Sequence, residues 1–289
     1  MKPKNYLNNK DILKEIHKSK LTFSSFVDEE KDHQFDIILT DIDKINIRTI
    51  AEAKRNRAKR LGQLEFESHR EEGGKKKLAE FEVEYKSIQK TDLVFRIMTF
   101  DHIPEEIGRK KNPKTIADTK TKLNFPPFQH YRFNENDELR CVGKSHWVGG
   151  MENGYFAKDQ GQATRKLAMM WMKLCDRYGT RGNVRGYTYN DEMRGQAILQ
   201  LSQIGLQFDE SKSNNPFAYY TAAVTNSFVR IINIEKRAQM IRDDILEMND
   251  MSPSYTRQHA GEWEHAQARW NEDLEKKSAG HNETSENND

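Results

Sequence analysis

The chain has 289 residues, 35% of them hydrophobic and 32% charged, with a formal net charge of +2. That is enough for one sizeable domain or two small ones with a modest core, and the balance excludes a uniformly basic coat for nucleic acid while permitting local basic faces. No apolar run approaches membrane-spanning length and MKPKNYLNNK holds no signal-peptide core, so a cytoplasmic protein with no membrane partner is expected.

The first predicted element lies in NNKDILKEIHKSKL, where Asn9 is a candidate cap and Ile12, Leu13 and Ile16 share one side of a helix. Phe23 and Phe26 follow as a short apolar tail, which makes residues 1–29 a docking segment in need of a surface. Residues 45–90 are dominated by charge, and Gly73-Gly74 interrupts them, so two charged helices joined at that turn are expected. The basic stretch Lys54–Arg60 reads either as a nucleic-acid contact or as a solvated helix face.

Residues 92–156 change character. DLVFRIMTFDHI is strand-like, Pro126-Pro127 marks an extended stretch, and a hairpin should turn at Asn134–Asp137. His130, His146 and Glu152 match no metal-ligand spacing and read as polar surface, so neither a metal nor any other cofactor is expected. Cys141 and Cys175 sit in no metal or redox pattern and read as free thiols of a reducing compartment.

Beyond Gln160 the helical signal is strong. Leu167, Met170 with Trp171, Leu174 and Tyr178 form a core stripe that Gly179 ends. Asn190 or Asp191 should cap the next helix, whose stripe is Met193, Ala197, Leu201, Ile204 and Phe208. Off that stripe lie Glu192, Gln196, Gln200, Gln203 and Gln207, a face of amides that reads either as a partner surface or as a merely polar one. Asn215-Pro216 is a helix start, with a capping residue followed by proline at the first helical position. The helix it opens has an apolar stripe of Phe217, Tyr220, Val224, Phe228 and Ile231. Tyr219, Ala223, Asn226, Arg230, Asn233 and Arg237 form a second face. An aromatic, then small and amide residues, then cations are the groups that stack unpaired bases, bond base edges and hold phosphates. The alternative is an ordinary amphipathic helix with its polar face in water. Residues 259–289 read as a polar, partly disordered tail in which Trp263, Trp270 and Leu274 share a helix face.

The order of residues in EMRGQAILQLSQIGLQFD and FAYYTAAVTNSFVRIINIEKR resembles region 2 of bacterial sigma factors. Together with NYLNNKDIL, GYTYNDEM, QFDESKSNNPFAYYTAAVTNSFVR and IRDDILEMND, it is most similar to the late-transcription sigma factors of T-even-type bacteriophages, notably those of marine cyanophages. The resemblance covers residues 160–258 well and the first 20 more loosely. It implies a mainly α fold, a region-2-like helical bundle at 158–258, with residues 30–157 as an inserted segment, helical and charged and partly β or irregular. It implies a non-enzymatic factor, in the cytoplasm of the infected host, that directs host core RNA polymerase to phage late promoters. Glu192, Gln196, Leu199, Gln200, Gln203, Gln207 and Asp209 would face the clamp helices of the largest subunit. Tyr219 and Tyr220 would melt promoter DNA. Ala223, Asn226, Ser227, Arg230 and Asn233 would face the melted non-template strand, with Lys236 and Arg237 on its backbone. A phage sliding clamp and a co-activator are further implied partners. The tandem tryptophans common in bacterial sigma factors are replaced here by Ala223-Val224, no second DNA-reading domain follows residue 258, and the tail lacks a hydrophobic, acidic clamp-binding motif.

Overall fold

The structure, a computed structural model, describes residues 7–74, 76–105, 115–118 and 122–285. The fold is mainly helical with a small mixed sheet. The chain divides into two compact units, Met1–Ser227 and Phe228–Asp289.

The first helix, α1 (Asn9–Leu21), is capped by Asn8 rather than Asn9. The Asn8 side chain accepts from the Lys10 amide, and Ile12 and Ile16 are buried beneath it. Strand β1 (Ser24–Phe26) follows directly, then β2 (Ile37–Leu39). Helix α2 (Ile47–Glu71) starts in a capping box: Asn46 accepts from the Thr49 amide, and Thr49 Oγ1 accepts from the Asn46 amide. It ends at Gly73, whose φ of 86° a Cβ would strain. No second helix follows the glycines. The chain instead makes short 3-10 turns at Leu78–Phe81 and Tyr85–Ser87. The basic stretch of α2 is not fully solvated, because Arg57 and Arg60 turn onto the buried carboxylate of Asp36, Arg60 at 2.7 Å.

Strands β3 (Val94–Ile97), β4 (Gln129–Phe133) and β5 (Leu139–Ser145) complete a sheet of order β1-β5-β4-β3-β2. It is antiparallel except for β2 beside β3. The β4–β5 hairpin turns at the expected residues, with Asp137 left-handed and Asn134 Oδ1 accepting from the Glu138 amide. Ala53 and Ala58 of α2 cover one face of this sheet over Leu93, Phe95, Ile97 and Phe133. A short ribbon, β6 (Trp147–Val148) and β7 (Tyr155–Phe156), leads toward the helical region. Through β1, which pairs with β5, the docking segment expected at residues 1–29 supplies the edge of the sheet formed by the inserted segment.

Helix α3 (Arg165–Gly179) buries Leu167, Trp171, Leu174, Cys175 and Tyr178. The stripe passes through Trp171, with Met170 only half-buried. Its cap, Thr164, donates from Oγ1 to Glu15 Oε2 at 2.8 Å, and its amide donates to Ser19 Oγ, which ties α3 to α1. Helix α4 (Asn190–Ile204) buries Met193, Ala197 and Leu201 as the periodicity requires. Neither Asn190 nor Asp191 caps it. Asn190 is its first residue and donates to the Gly179 and Val184 carbonyls, pinning the preceding loop. Helix α5 (Pro216–Met248) is capped by Asn215, which accepts from the Ala218 amide, and runs from the first unit into the second. Within the second unit, Asp243 accepts from the amide and hydroxyl of Ser254, and α6 (Tyr255–Ser285) begins there. The tail from 259 to 285 is thus helical. Its last residues, 286–289, lie outside the described residues.

Candidate functional site

The outer face of α4 follows from its buried stripe. With Met193, Ala197 and Leu201 inward, Glu192, Gln196 and Gln203 are exposed, Gln200 is half-buried, and Leu199 stands 52% exposed. The helix stops at Gly205, where a Cβ would come within 2.3 Å of the Trp171 ring, so only glycine lets the chain turn there. The loop that follows drops Phe208 into the core and leaves Gln207 and Asp209 half-buried. Asp209 is partly occupied in its own turn, accepting from the Ser211 amide at 3.0 Å and pairing with Lys212 at 3.2 Å.

The start of α5 is fastened to this loop. Asn9 Oδ1 accepts from the Phe217 amide, so the residue expected to cap α1 serves the first turn of α5 instead. The Tyr219 hydroxyl donates to the Ile204 carbonyl at 3.1 Å, and the Tyr220 hydroxyl to the Gly205 carbonyl at 2.8 Å. Both satisfy carbonyls left over where α4 ends. Tyr220 is 1% exposed, with its ring edge-on to Trp171 at 6.0 Å, and burial pushes its hydroxyl pKa up so that it stays a donor.

Three positions expected to meet DNA are corrected by this packing. Tyr220, Ala223 and Ser227 are buried, because α5 turns into the core the arc that carries Tyr220, Val224 and Phe228. Helical geometry puts Ala223 and Ser227 at the margin of that arc. Tyr219 is half-buried, with its ring against Phe208 and Tyr220. Asn226, Arg230, Asn233, Lys236 and Arg237 are exposed. Steps of four, three and four residues put Asn226, Arg230, Asn233 and Arg237 on one stripe of α5. Arg230, Lys236 and Arg237 take part in no ion pair among the described residues.

A cavity of about 990 Å³ opens in the first unit between the sheet and the α4–α5 loop. Asp41, Asp101 and Asp209 line it with Lys212, and Tyr131 and Tyr219 supply aromatic wall. The excess of carboxylates repels a phosphate backbone.

Sequence reasoning missed the groups that grip this loop from inside. Glu210 is 7% exposed, Lys20 and His130 are fully buried, and Arg96 is 1% exposed. Lys20 bore a readable signal, since it continues the stripe of Ile12 and Ile16 by one turn. Arg96 bore one too, as a lone cation within the apolar run VFRI. His130 and His146, expected as polar surface, are both buried, and Glu152 is exposed. Among the described residues no group of His, Cys, Asp or Glu could hold a metal ion, and no helix is long and apolar enough to cross a membrane.

The second unit presents Trp263 and Trp270, 67% and 66% exposed, with Leu274 on the same stripe of α6. Comparison of the chain with protein-family models, curated proteins and solved structures returns no match.

Proposed function

We propose that this chain is a sigma-like transcription initiation factor that binds host core RNA polymerase and directs it to phage late promoters by capturing a short melted element. The observation that carries the reading is the stripe of Asn226, Arg230, Asn233 and Arg237 on α5, exposed and, at its cations, unpaired. Amides and cations on one helix face can bond base edges and hold phosphates together, and no covalent chemistry is asked of them. The order of residues around the stripe, which resembles region 2, supplies the identity of the partner. Glu192, Gln196, Leu199 and Gln203 of α4 are open to the clamp helices. The melting role falls on Tyr219 alone, since Tyr220 is in the core. Stacking on one ring is worth about 1–3 kcal/mol per base, enough to bias a strand already strained by polymerase. The Trp263–Trp270–Leu274 stripe is the surface open to a sliding clamp or co-activator.

A second reading is a polymerase-binding regulator without direct DNA readout. The burial of Tyr220, Ala223 and Ser227 favours it, by removing three positions from the promoter face. Run-off transcription by host core polymerase, with and without this protein, on phage late-promoter DNA separates the two. Promoter-dependent transcript only with the protein supports the first. Polymerase binding without such transcript supports the second, and absence of polymerase binding refutes both.

A further inference from the structure

The loop between α4 and α5 is held on its inner side by side chains of α1, which lie in turn against Arg96 of the sheet. Lys20 of α1 donates from Nζ to the Phe208 carbonyl at 2.8 Å and meets Glu210 Oε2 at 2.6 Å, with both side chains almost fully buried. His17 Nδ1 stands 3.5 Å from the other Glu210 oxygen. Behind them Arg96, in the middle of β3, is sandwiched between the Phe35 and Phe128 rings at 3.9 and 3.8 Å. Its Nε donates to His130 Nε2 at 2.9 Å, and His130 Nδ1–H donates to the Asp32 carbonyl at 2.7 Å. Arg96 Nη1 lies 3.5 Å from His17 Nδ1, so the sheet meets the Glu210 carboxylate through α1.

The charges in this cluster are unequal. Lys20 and Arg96 are cations, Glu210 is the facing anion, and His130 is neutral because its Nε2 must accept from a guanidinium that can only donate. Lys20 therefore depends on Glu210, and Glu210 on Lys20. A buried ion pair adds little net stability over apolar packing, yet removing one partner is costly because a charge is left without compensation. Such a pair tolerates one geometry of the loop and penalises the others.

We propose that α1, braced by Arg96 of the sheet, is a positioning element for the α4–α5 loop, acting through the Glu210 carboxylate, with Glu210 and Lys20 as positioning residues. The loop they hold carries Gln207 and Asp209 and delivers the Asn215 cap of α5. The polymerase arm of the test rests on the function proposed above, and the loop arm does not.

The test compares the full chain with its Lys20→Met and Glu210→Gln variants and the double variant. Hydrogen exchange is read on the amides of residues 205–213 and on those of the β4–β5 hairpin, and affinity for core RNA polymerase is measured alongside. Loop exchange about tenfold or more faster in each single variant, with hairpin exchange unchanged and the double variant no looser than the worse single, supports the proposal. Polymerase affinity should fall together with loop protection. Should Glu210→Gln fail to fold, Lys20→Met carries the test, because it leaves Glu210 facing Arg96. Unchanged loop protection in Lys20→Met overturns the proposal, and so does equal loosening of loop and hairpin. Faster loop exchange in a protein whose wild type binds no polymerase upholds the positioning role and refutes the proposed function.

Discussion

Lowering the pH from about 7.5 to about 5 should destabilise the first unit, and the buried histidines set the size of the loss. His130 and His146 are fully buried. Burial holds His130 well below its ordinary 6.5, helped by the neighbouring Arg96 charge, and lowers His146 to about 3. The folded pKa lies below the unfolded one in both, so the unfolded chain takes up protons that the folded chain refuses. Stability present above pH 6.5 is lost as the pH falls. His146 then costs about 1.4 kcal/mol per pH unit below 6.5, or roughly 2 kcal/mol at pH 5, and His130 adds to the loss in the same direction. His17, lowered to about 4 chiefly by burial, acts in the same direction. Asp32 and Asp36, pushed up by burial, act in the opposite one and offset part of the loss at the acid end. With a urea dependence of about 2.5 kcal/mol per molar, His146 by itself should lower the midpoint by roughly 0.8 M. Urea melts followed by circular dichroism at the two pH values measure this. The variant His146→Asn, tolerated at the left-handed φ of 54°, should recover roughly 2 kcal/mol of the difference. Equal midpoints at the two pH values would refute the assignment of neutral, buried imidazoles.

Three further outcomes follow from the packing and from the proposed surfaces. Tyr220→Phe strands the Gly205 carbonyl and should cost about 1–2 kcal/mol in urea melts; an unchanged midpoint would show that the hydroxyl contributes nothing. Leu199→Arg should leave the melt within about 0.5 kcal/mol of wild type, because the side chain is half in water, while weakening binding to core polymerase by about tenfold or more. Full retention of binding would take the outer face of α4 out of the polymerase contact. Reversing Arg230 and Arg237 to glutamate should spare stability, lower promoter affinity and make the salt slope shallower by about 2. A slope equal to wild type favours the reading without DNA contact.

What the sequence determined by itself is local. The 3.6-residue period assigned the buried stripes of α3 and α4, and the turn residues Asn134–Asp137 placed the β4–β5 hairpin. Asn215-Pro216 marked the start of α5, since capping needs only a few consecutive residues. Tyr220 was already on the apolar stripe by period. What assigned it to DNA was the resemblance, and a core Trp171 from another helix decides otherwise. The charged run before Gly73 was legible as a helix. That its arginines turn inward was not, because their partner Asp36 precedes the helix and is brought to them by the sheet. The same holds most strongly for the α4–α5 loop. Lys20, Arg96, His130 and Glu210 are scattered over 190 residues, and even where the local pattern hints that Lys20 and Arg96 turn inward, nothing local names their partners. Only tertiary packing removes water from all of them at once, and the cost of burying charge then obliges them to find one another.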